Sequence, residues 1–549
     1  MIIKDAIVKR LRAFKPVDYT KAILFTAMFI AVFDNYTFFS KISATYPGQS
    51  LFLLSVFIIF LCTLIIVLNA ATLHRATKPV LIIFLLFSAL HSYFTDSFGV
   101  IGDQEMIRNI LRTHPAEVFD WFNLRLIGYF AVLGLVPAAL VNMMPVAPMP
   151  LKKQLIFKAR DIFISLLVIV ICLFAFSGSY ASFFREHKLL RLYANPMVFI
   201  YSSARLVYKA NVGPPRAMAA LGIDAKISGN DARRELVIFV LGETARADRF
   251  SLNGYERETN PYLKQEDIIN FSDVYSCGTS TMASVPCLFS NLGRNGFTNE
   301  AAARSENLLD VMMRTGRINV LWRDNNSDSK GVALRAPYED FRTQTLNPVC
   351  DIECRDVGML GGLQKYIDRQ GAGDFFIVLH QMGNHGPAYY KRYPEKFEIF
   401  KPTCQSKDLG ACSDEEIGNA YDNAIAYTDY FLSQVIAFLK NNDRRFETAM
   451  IYVSDHGESL GENGIYLHGL PYAIAPIAQR KVPMIMWFGD SMKDTIDIAA
   501  LKAKSKNQFS HDNLFHTFLG LMEVETAVYE PKQNMIGDNK GKAITAIGR

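Results

Sequence analysis

Five long apolar runs crowd the first 180 residues of this 549-residue chain, and no other feature restricts its fold so sharply. They lie near Ala22–Phe39, Leu51–Leu68, Pro79–Tyr93, Leu124–Val141 and Ile162–Phe176. Each approaches the roughly 20 residues that a helix needs to cross a bilayer. His91 and Tyr93 make the third run the weakest. The amphipathic stripes of a soluble helix bundle do not separate them, so they read as membrane spans rather than buried core helices. Basic residues then set the orientation, because loops rich in Lys and Arg stay cytoplasmic. Lys4, Lys9, Arg10, Arg12 and Lys15 precede the first run, Arg75 and Lys78 follow the second, and Lys152, Lys153, Lys158 and Arg160 follow the fourth. The opposite loops carry only Lys41 in one case and Arg108 and Arg112 in the other. The N-terminus is therefore expected inside and everything after residue 180 outside. No small-x-small cleavage site follows the first run, and "KISATYPGQ" reads as a loop.

Cysteine usage agrees with that topology. Cys62 and Cys172 lie within apolar runs, whereas Cys277, Cys287, Cys350, Cys354, Cys404 and Cys412 all fall in the part expected outside. An even number at short spacings fits disulfides in an oxidising compartment, with local pairs Cys277–Cys287, Cys350–Cys354 and Cys404–Cys412 favoured. A cysteine zinc site would need a paired CxxC, which is missing. The net charge of +5 comes partly from the cytoplasmic loops and calls for no nucleic acid partner.

Three segments follow: spans over 1–177, a connector over 178–233 and an α/β domain over 234–549. The connector mixes aromatic, basic and apolar residues in "SFFREHKLLRLYANPMVFIYSSARLVYKA", which suits helices lying at a membrane interface and equally a helix packed on the following domain. "NVGPPRAM" then breaks the pattern as a linker. Beyond it, short apolar runs rich in β-branched residues alternate with helical patterns. The runs are "ELVIFVLG", "INVLW", "DFFIVLH", "TAMIYVS" and "VPMIMWF". That alternation predicts a largely parallel sheet, whose ligand sites gather beyond the carboxyl ends of its strands.

Three of those strands end in groups suited to a metal: Glu243 after the first, His380 and His385 after the third, and Asp455 and His456 after the fourth. Singly, each reads as a helix cap or a satisfied histidine; together they point to one site. Carboxylate and imidazole donors without thiolate suit a catalytic zinc with an open position, and manganese accepts the same donor types. "SCGTSTMASVPCLFS" supplies hydroxyls at Thr279, Ser280, Thr281 and Ser284 where a loop enters a helix. A divalent cation and a helix N-terminus both stabilise an alkoxide there.

The stretches "GETARADRFSLNGYERETNP", "SCGTSTMASVPCLFS", "LWRDNNSDSKG", "LHQMGNHGPAYYKRYP" and "YVSDHGESLGENGIYLHGLPYAIAP" resemble the lipid A phosphoethanolamine transferases, which include the transferases linked to polymyxin resistance. The resemblance covers essentially the whole chain. It implies a five-helix transmembrane domain joined by interfacial connector helices to an α/β, alkaline phosphatase/sulfatase-like domain in the periplasm, with the chain a monomer in the bacterial inner membrane. It implies one tight Zn2+ held by Glu243, Thr281, Asp455 and His456, with Thr281 the nucleophile. It implies that His385 and His468 hold the substrate phosphate or a second zinc and serve proton transfer, with His380 nearby. Ser327, Lys330 and Glu458 match substrate-binding positions. "MIRNILRTHPAE" matches a lipid-contacting stretch and supplies Asn109, Thr113 and Glu117.

The implied activity takes phosphoethanolamine from phosphatidylethanolamine, holds it on Thr281, and passes it to a lipid A phosphate, with diacylglycerol released. The nearest rival is a transferase with a glycerophosphate donor or a core-sugar acceptor. A sulfatase would need a C/S-x-P-x-R segment, which "CGTST" and "CLFSN" do not provide. A membrane receptor or transporter with an inactive domain would favour ionisable residues within the spans, of which Asp34 is the main candidate. Glu462 is read as solvated surface.

Overall fold

The computed structural model describes residues 18–73, 76–112, 122–146, 149–177, 179–180, 183, 190–211, 218–228, 233–407 and 409–537. They form two compact units, one holding the described residues up to Asn211 and the other those from Met218 onward. The described part of the connector segment is therefore split between them. Met197–Asn211 is a helix of the first unit. Residues 218–228 are tied into the second through the pairings Ala219 with Ser305 and Lys226 with Glu525.

The first unit is all helical, and three of its helices are long and apolar enough to cross a membrane: Ser50–Ala71, Thr77–Phe98 and Leu124–Met143. The first expected run is not one straight helix. Tyr19–Phe33 and Tyr36–Thr45 meet at a 58° bend and together make a fourth candidate. Asp34 and Asn35 break it, and the Asn35 amide donates to Ile30 O and to Asn195 O at 2.9 and 2.8 Å. Within Leu124–Met143 a π turn spans Ala131–Leu135, just before Pro137, which has no N–H to continue an α ladder. The fifth run lies in Leu151–Ala175, a 25-residue helix whose first half is charged. Lys158 there caps the last carbonyls of the Ser50–Ala71 helix at Asn69 and Thr72, and Asp161 accepts from Thr20 at 2.9 Å. The apolar part, from Ile162 on, is only about 21 Å long at the α-helical rise. Its length and apolarity do not mark it as a span, so three to four candidates are present among the described residues.

In the second unit all five anticipated runs are strands. With the shorter ones they are β1 (Arg234–Gly242), β2 (Ile268–Tyr275), β3 (Ile318–Asp324), β4 (Tyr338–Asp340), β5 (Asp374–His380), β6 (Phe446–Ser454), β7 (Ser459–Leu460), β8 (Tyr466–Leu467), β9 (Lys481–Phe488) and β10 (Phe509–Ser510). Eight of them form one sheet in the order β10-β2-β9-β6-β1-β5-β3-β4, and β7 pairs with β8 in a hairpin. β9 alone runs against its neighbours. β2 escapes a search for apolar runs, because Asn270, Ser272 and Asp273 interrupt it and a register shift falls between Phe271 and Val274.

Side chains alternate across each strand. Val237, Phe239 and Leu241 pack with Val285, Leu309, Leu514 and Phe518 from helices on one face. On the other, the helix Asp414–Asn442 lies against β6 and β1. Its start is fixed by a reciprocal cap between Ser413 and Glu416. Burial on both faces explains why the central strands read as continuous apolar runs. The sheet therefore presents the carboxyl ends of β1, β5 and β6 side by side, and the site is built there.

Candidate metal centre

Glu243 is the first residue beyond β1, and the next residue, Thr244, takes a left-handed conformation at φ 59°. That is unfavourable for a β-branched residue, and hydrogen bonds impose it: Thr244 N–H donates to Asp455 Oδ1 at 3.1 Å, and Tyr421 Oη donates to Thr244 O at 2.6 Å. The turn aims the Glu243 carboxylate back across the strand ends. Gly383, at φ 51°, lies over it; a Cβ there would sit 2.8 Å from Glu243 O. Asp455 and His456 leave β6 next door, and Ser454 Oγ braces the corner by accepting from Ala245 N–H and donating to His456 O.

Donor atoms of Glu243, Asp455 and His456 converge within 4.8 Å of one another, and all three side chains are buried. Asp455 Oδ1 accepts from two backbone N–H groups, whereas Oδ2 has no hydrogen-bond partner. His456 Nδ1 lies 2.9 Å from Gly457 O, an acceptor only, so Nδ1 carries the proton and Nε2 turns a lone pair on the site. Thr281 begins the helix Thr281–Leu288. Its Oγ1 lies 3.1 Å from Glu243 Oε2 and 3.3 Å from His456 Nε2. Two carboxylates, an imidazole lone pair and a hydroxyl on one point, with a buried carboxylate oxygen unpartnered, make a fitting set for a divalent cation of the zinc type.

The electrostatics agree. Burial pushes the Glu243 carboxyl up, and positive charge on the side of His456, His385 and His468 outweighs it and holds it well below the usual range; with the His456 lone pair turned on the site, a bound cation would supply that charge. Burial and the Glu243 charge push Asp455 up to about 7. Two buried carboxylates repel unless a positive charge stands between them.

Other sequence-predicted residues gather around this centre. The His468 ring lies 4.2 Å from that of His456 and 6.0 Å from that of His385. His468 Nδ1 meets Glu458 Oε1 at 3.1 Å, and Tyr389 Oη donates to Glu458 Oε2 at 3.0 Å. Burial brings His468 down to about 3 and pushes Glu458 well up, so the two form a unit without net charge. His468 still keeps 19% of its side chain exposed and can meet a ligand. Lys330 Nζ donates to Ser327 Oγ, and Ser327 Oγ donates to Asn326 Oδ1 at 3.0 Å. His380 sits behind, fully buried, with Nδ1 3.0 Å from Asp324 Oδ2 and its ring against Trp322. Asn109 lies in the helix Gln104–Arg112 of the first unit, and Thr113 and Glu117 fall outside the described residues. All three expected cysteine pairs are bonded.

Sequence reasoning missed several supports. Asn326 donates to Glu243 Oε2 and to Gln381 O, both at 2.8 Å; its place beside Ser327 in "RDNNSDSKG" was the available signal. Asp356 accepts from Met382 and Gly383 N–H and so shapes the turn before His385. Ser284 Oγ donates to Asp455 O and links the helix that Thr281 begins to β6. Glu462 takes part as well. It is exposed at the surface, as read, but it is not idle there: Oε1 accepts from Arg246 at 2.5 Å and Oε2 from Leu460 N–H at 2.7 Å, which ties the loop after β6 to the turn after Glu243. Two carboxylate acceptors for one buried guanidinium, with Asp248 the other, explain why that charge is kept there.

Comparison with known proteins places this geometry. A family described as Sulfatase matches residues 235–524, and one described as Phosphoethanolamine transferase EptA/EptB matches residues 60–210. The chain is 43% identical to phosphatidylethanolamine transferase Mcr-1 of Escherichia coli, over 91% of this chain and 94% of the relative. It is 38% identical to phosphoethanolamine transferase EptA of Escherichia coli strain K12, over 94% and 96%. Among solved structures it is similar to the integral membrane lipooligosaccharide phosphoethanolamine transferase A of Neisseria meningitidis. That match has a TM-score of 0.90 at 33% identity, covering 94% of this chain and 98% of the other.

Proposed function

The chain belongs to the phosphoethanolamine transferase family, a membrane enzyme family, and from that premise we propose that it transfers phosphoethanolamine from phosphatidylethanolamine to a lipid A phosphate through a covalent intermediate on Thr281. The observation that carries this reading is the Thr281 hydroxyl at a helix N-terminus, 3.1 Å from Glu243 and 3.3 Å from His456. Glu243, Thr281, Asp455 and His456 would hold Zn2+, which when bound favours the threonine alkoxide and offsets charge on the phosphoryl oxygens.

In the first half-reaction the Thr281 hydroxyl gives up its proton by way of Glu243, to which it donates, and Oγ attacks phosphorus as the bond from phosphorus to the diacylglycerol oxygen breaks. The helix N-terminus favours negative charge on Oγ. His468, drawing on the proton that its partner Glu458 keeps, or His385 protonates the departing oxygen. In the second, a lipid A phosphate oxygen attacks the Thr281-bound phosphorus, and Oγ leaves and regains its proton. Lys330 and Ser327 would hold the phosphoryl or headgroup oxygens. One site shared by donor and acceptor predicts ping-pong kinetics. Both substrates are lipids, so the reading places the second unit on the periplasmic face of the inner membrane, the N-terminus in the cytoplasm, and five spans as its anchor, with Leu151–Ala175 supplying the last.

Mass spectrometry of lipid A from expressing cells tests this reading. A gain of one phosphoethanolamine group with the wild type, and none with Thr281→Ala, is expected. Unmodified lipid A together with a modified core sugar would shift the acceptor and overturn the proposal.

A further inference from the structure

His468 is held by a turn that a leucine would not adopt alone. Leu467 has φ 63°, in the left-handed region that disfavours side chains, and Gly469 follows at φ 90°. Such a conformation persists only where its surroundings over-determine it. Two residues supply that constraint from opposite sides. Thr279 Oγ1 donates to Leu470 O at 2.6 Å, and Gly469 N–H donates to Thr279 O at 2.7 Å, so one residue closes a two-bond clasp around the turn. Gln479, fully buried, donates through Nε2 to Leu467 O at 3.0 Å and to Ser459 Oγ at 2.9 Å, and its Oε1 accepts from Leu470 N–H at 3.3 Å.

Thr279 stands two residues before Thr281 on the same loop, which the Cys277–Cys287 bond braces. The clasp therefore joins the loop of the nucleophile directly to the loop of the histidine. We infer that Thr279, assisted by Gln479, is a positioning residue that sets the His468 imidazole against the phosphoryl group attacked by Thr281. This rests on the proposed role of His468. The physical reason is register: a proton donor must stand within hydrogen-bond reach of the leaving oxygen, and a displacement of about 1 Å costs on the order of 100-fold in rate. Left unclasped, the turn relaxes from its left-handed geometry and carries the ring away, while Glu243, Asp455 and His456 keep their places.

Thr279→Val in the full-length protein tests this, with Thr279→Ser as the conservative control and Gln479→Glu as a second variant should the first not fold. The readouts are hydrogen exchange over residues 466–470, bound zinc, and kcat and KM for a fluorescent phosphatidylethanolamine. We expect Thr279→Val to speed exchange there and to lower kcat at least about 10-fold, with KM within about twofold and zinc content unchanged. Thr279→Ser is expected to match the wild type, and Gln479→Glu to change in the same direction as Thr279→Val. Unchanged exchange, or faster exchange with unchanged kcat, would overturn the inference. His468→Ala with full kcat would instead sink the functional reading on which the inference leans, and the exchange result would still judge the clasp itself.

Discussion

The two ends of the central sheet both bury carboxylates, and they treat them in opposite ways. At the amino end, Glu235 of β1 and Asp374 of β5 lie on neighbouring strands, and Glu235 is pushed up to about 10 by burial and by its hydrogen bond with Asp374. A proton shared between the two carboxyl groups joins that pair, and the Arg234 charge acts on Asp374 beside it. At the carboxyl end, Glu243 stays well below its usual range, Asp455 Oδ2 has no hydrogen-bond partner, and the His456 lone pair faces both. The sheet thus carries a proton-sharing acidic pair at the amino ends of β1 and β5 and an electron-rich set in need of a cation at the carboxyl ends of β1 and β6. The difference teaches that burial of acids is not itself a sign of chemistry; the missing proton or cation is.

The sharpest way to break this contrast is to neutralise one acid at each end. Asp455→Asn should strip the proposed zinc and lower transfer by at least about 10²–10³-fold, the scale for removing stabilisation of a developing charge. Glu235→Gln should leave both zinc content and kcat unchanged, since it is remote from the site. Metal analysis and turnover of phosphatidylethanolamine check both variants, and a Glu235→Gln variant that lost zinc would abolish the distinction.

A smaller effect is expected from the support behind the metal ligands. Asn326→Ala removes the 2.8 Å hydrogen bond to Glu243 Oε2 and should weaken zinc affinity roughly 10–100-fold, read by competition with a chelator. Retained affinity would show that the Thr244 turn alone orients Glu243.

The smallest effect concerns pH. A carboxyl whose folded pKa is raised holds its proton in the folded state and loses it in the unfolded state, so stability falls as pH climbs from the unfolded value to the folded one. For Glu235 that window runs from about 4.3, the model-peptide value, to about 10. Glu235→Gln, which keeps a donor toward Asp374, should flatten this fall and raise the melting temperature at pH 8 by a few degrees. Parallel pH dependence in both proteins would remove Glu235 as its source.

Much of this was legible in the sequence, and the reasons are physical. Buried parallel strands must be apolar on both faces, so β1, β3, β5, β6 and β9 announce themselves as runs. Candidate metal ligands placed directly after such strands are legible for the same reason, as with Glu243 and with Asp455 and His456. What stayed hidden depends on chain segments far apart in sequence. Thr279 was only one of several hydroxyls until the turn after His468 came to rest on it. Glu462 is exposed as read, but its pairing stayed hidden because its partner, Arg246, lies 216 residues away. The break at Asp34 and Asn35 was hidden within an apolar run, since what holds it open is Asn195 of a later segment.

The most direct test of the central claim is the mass of the protein itself after incubation with phosphatidylethanolamine and no acceptor. A wild-type protein that gains one phosphoethanolamine, mapped to Thr281 by peptide fragmentation and absent from Thr281→Ala, is the predicted result. An adduct on another residue, or one that persists in Thr281→Ala, would contradict it.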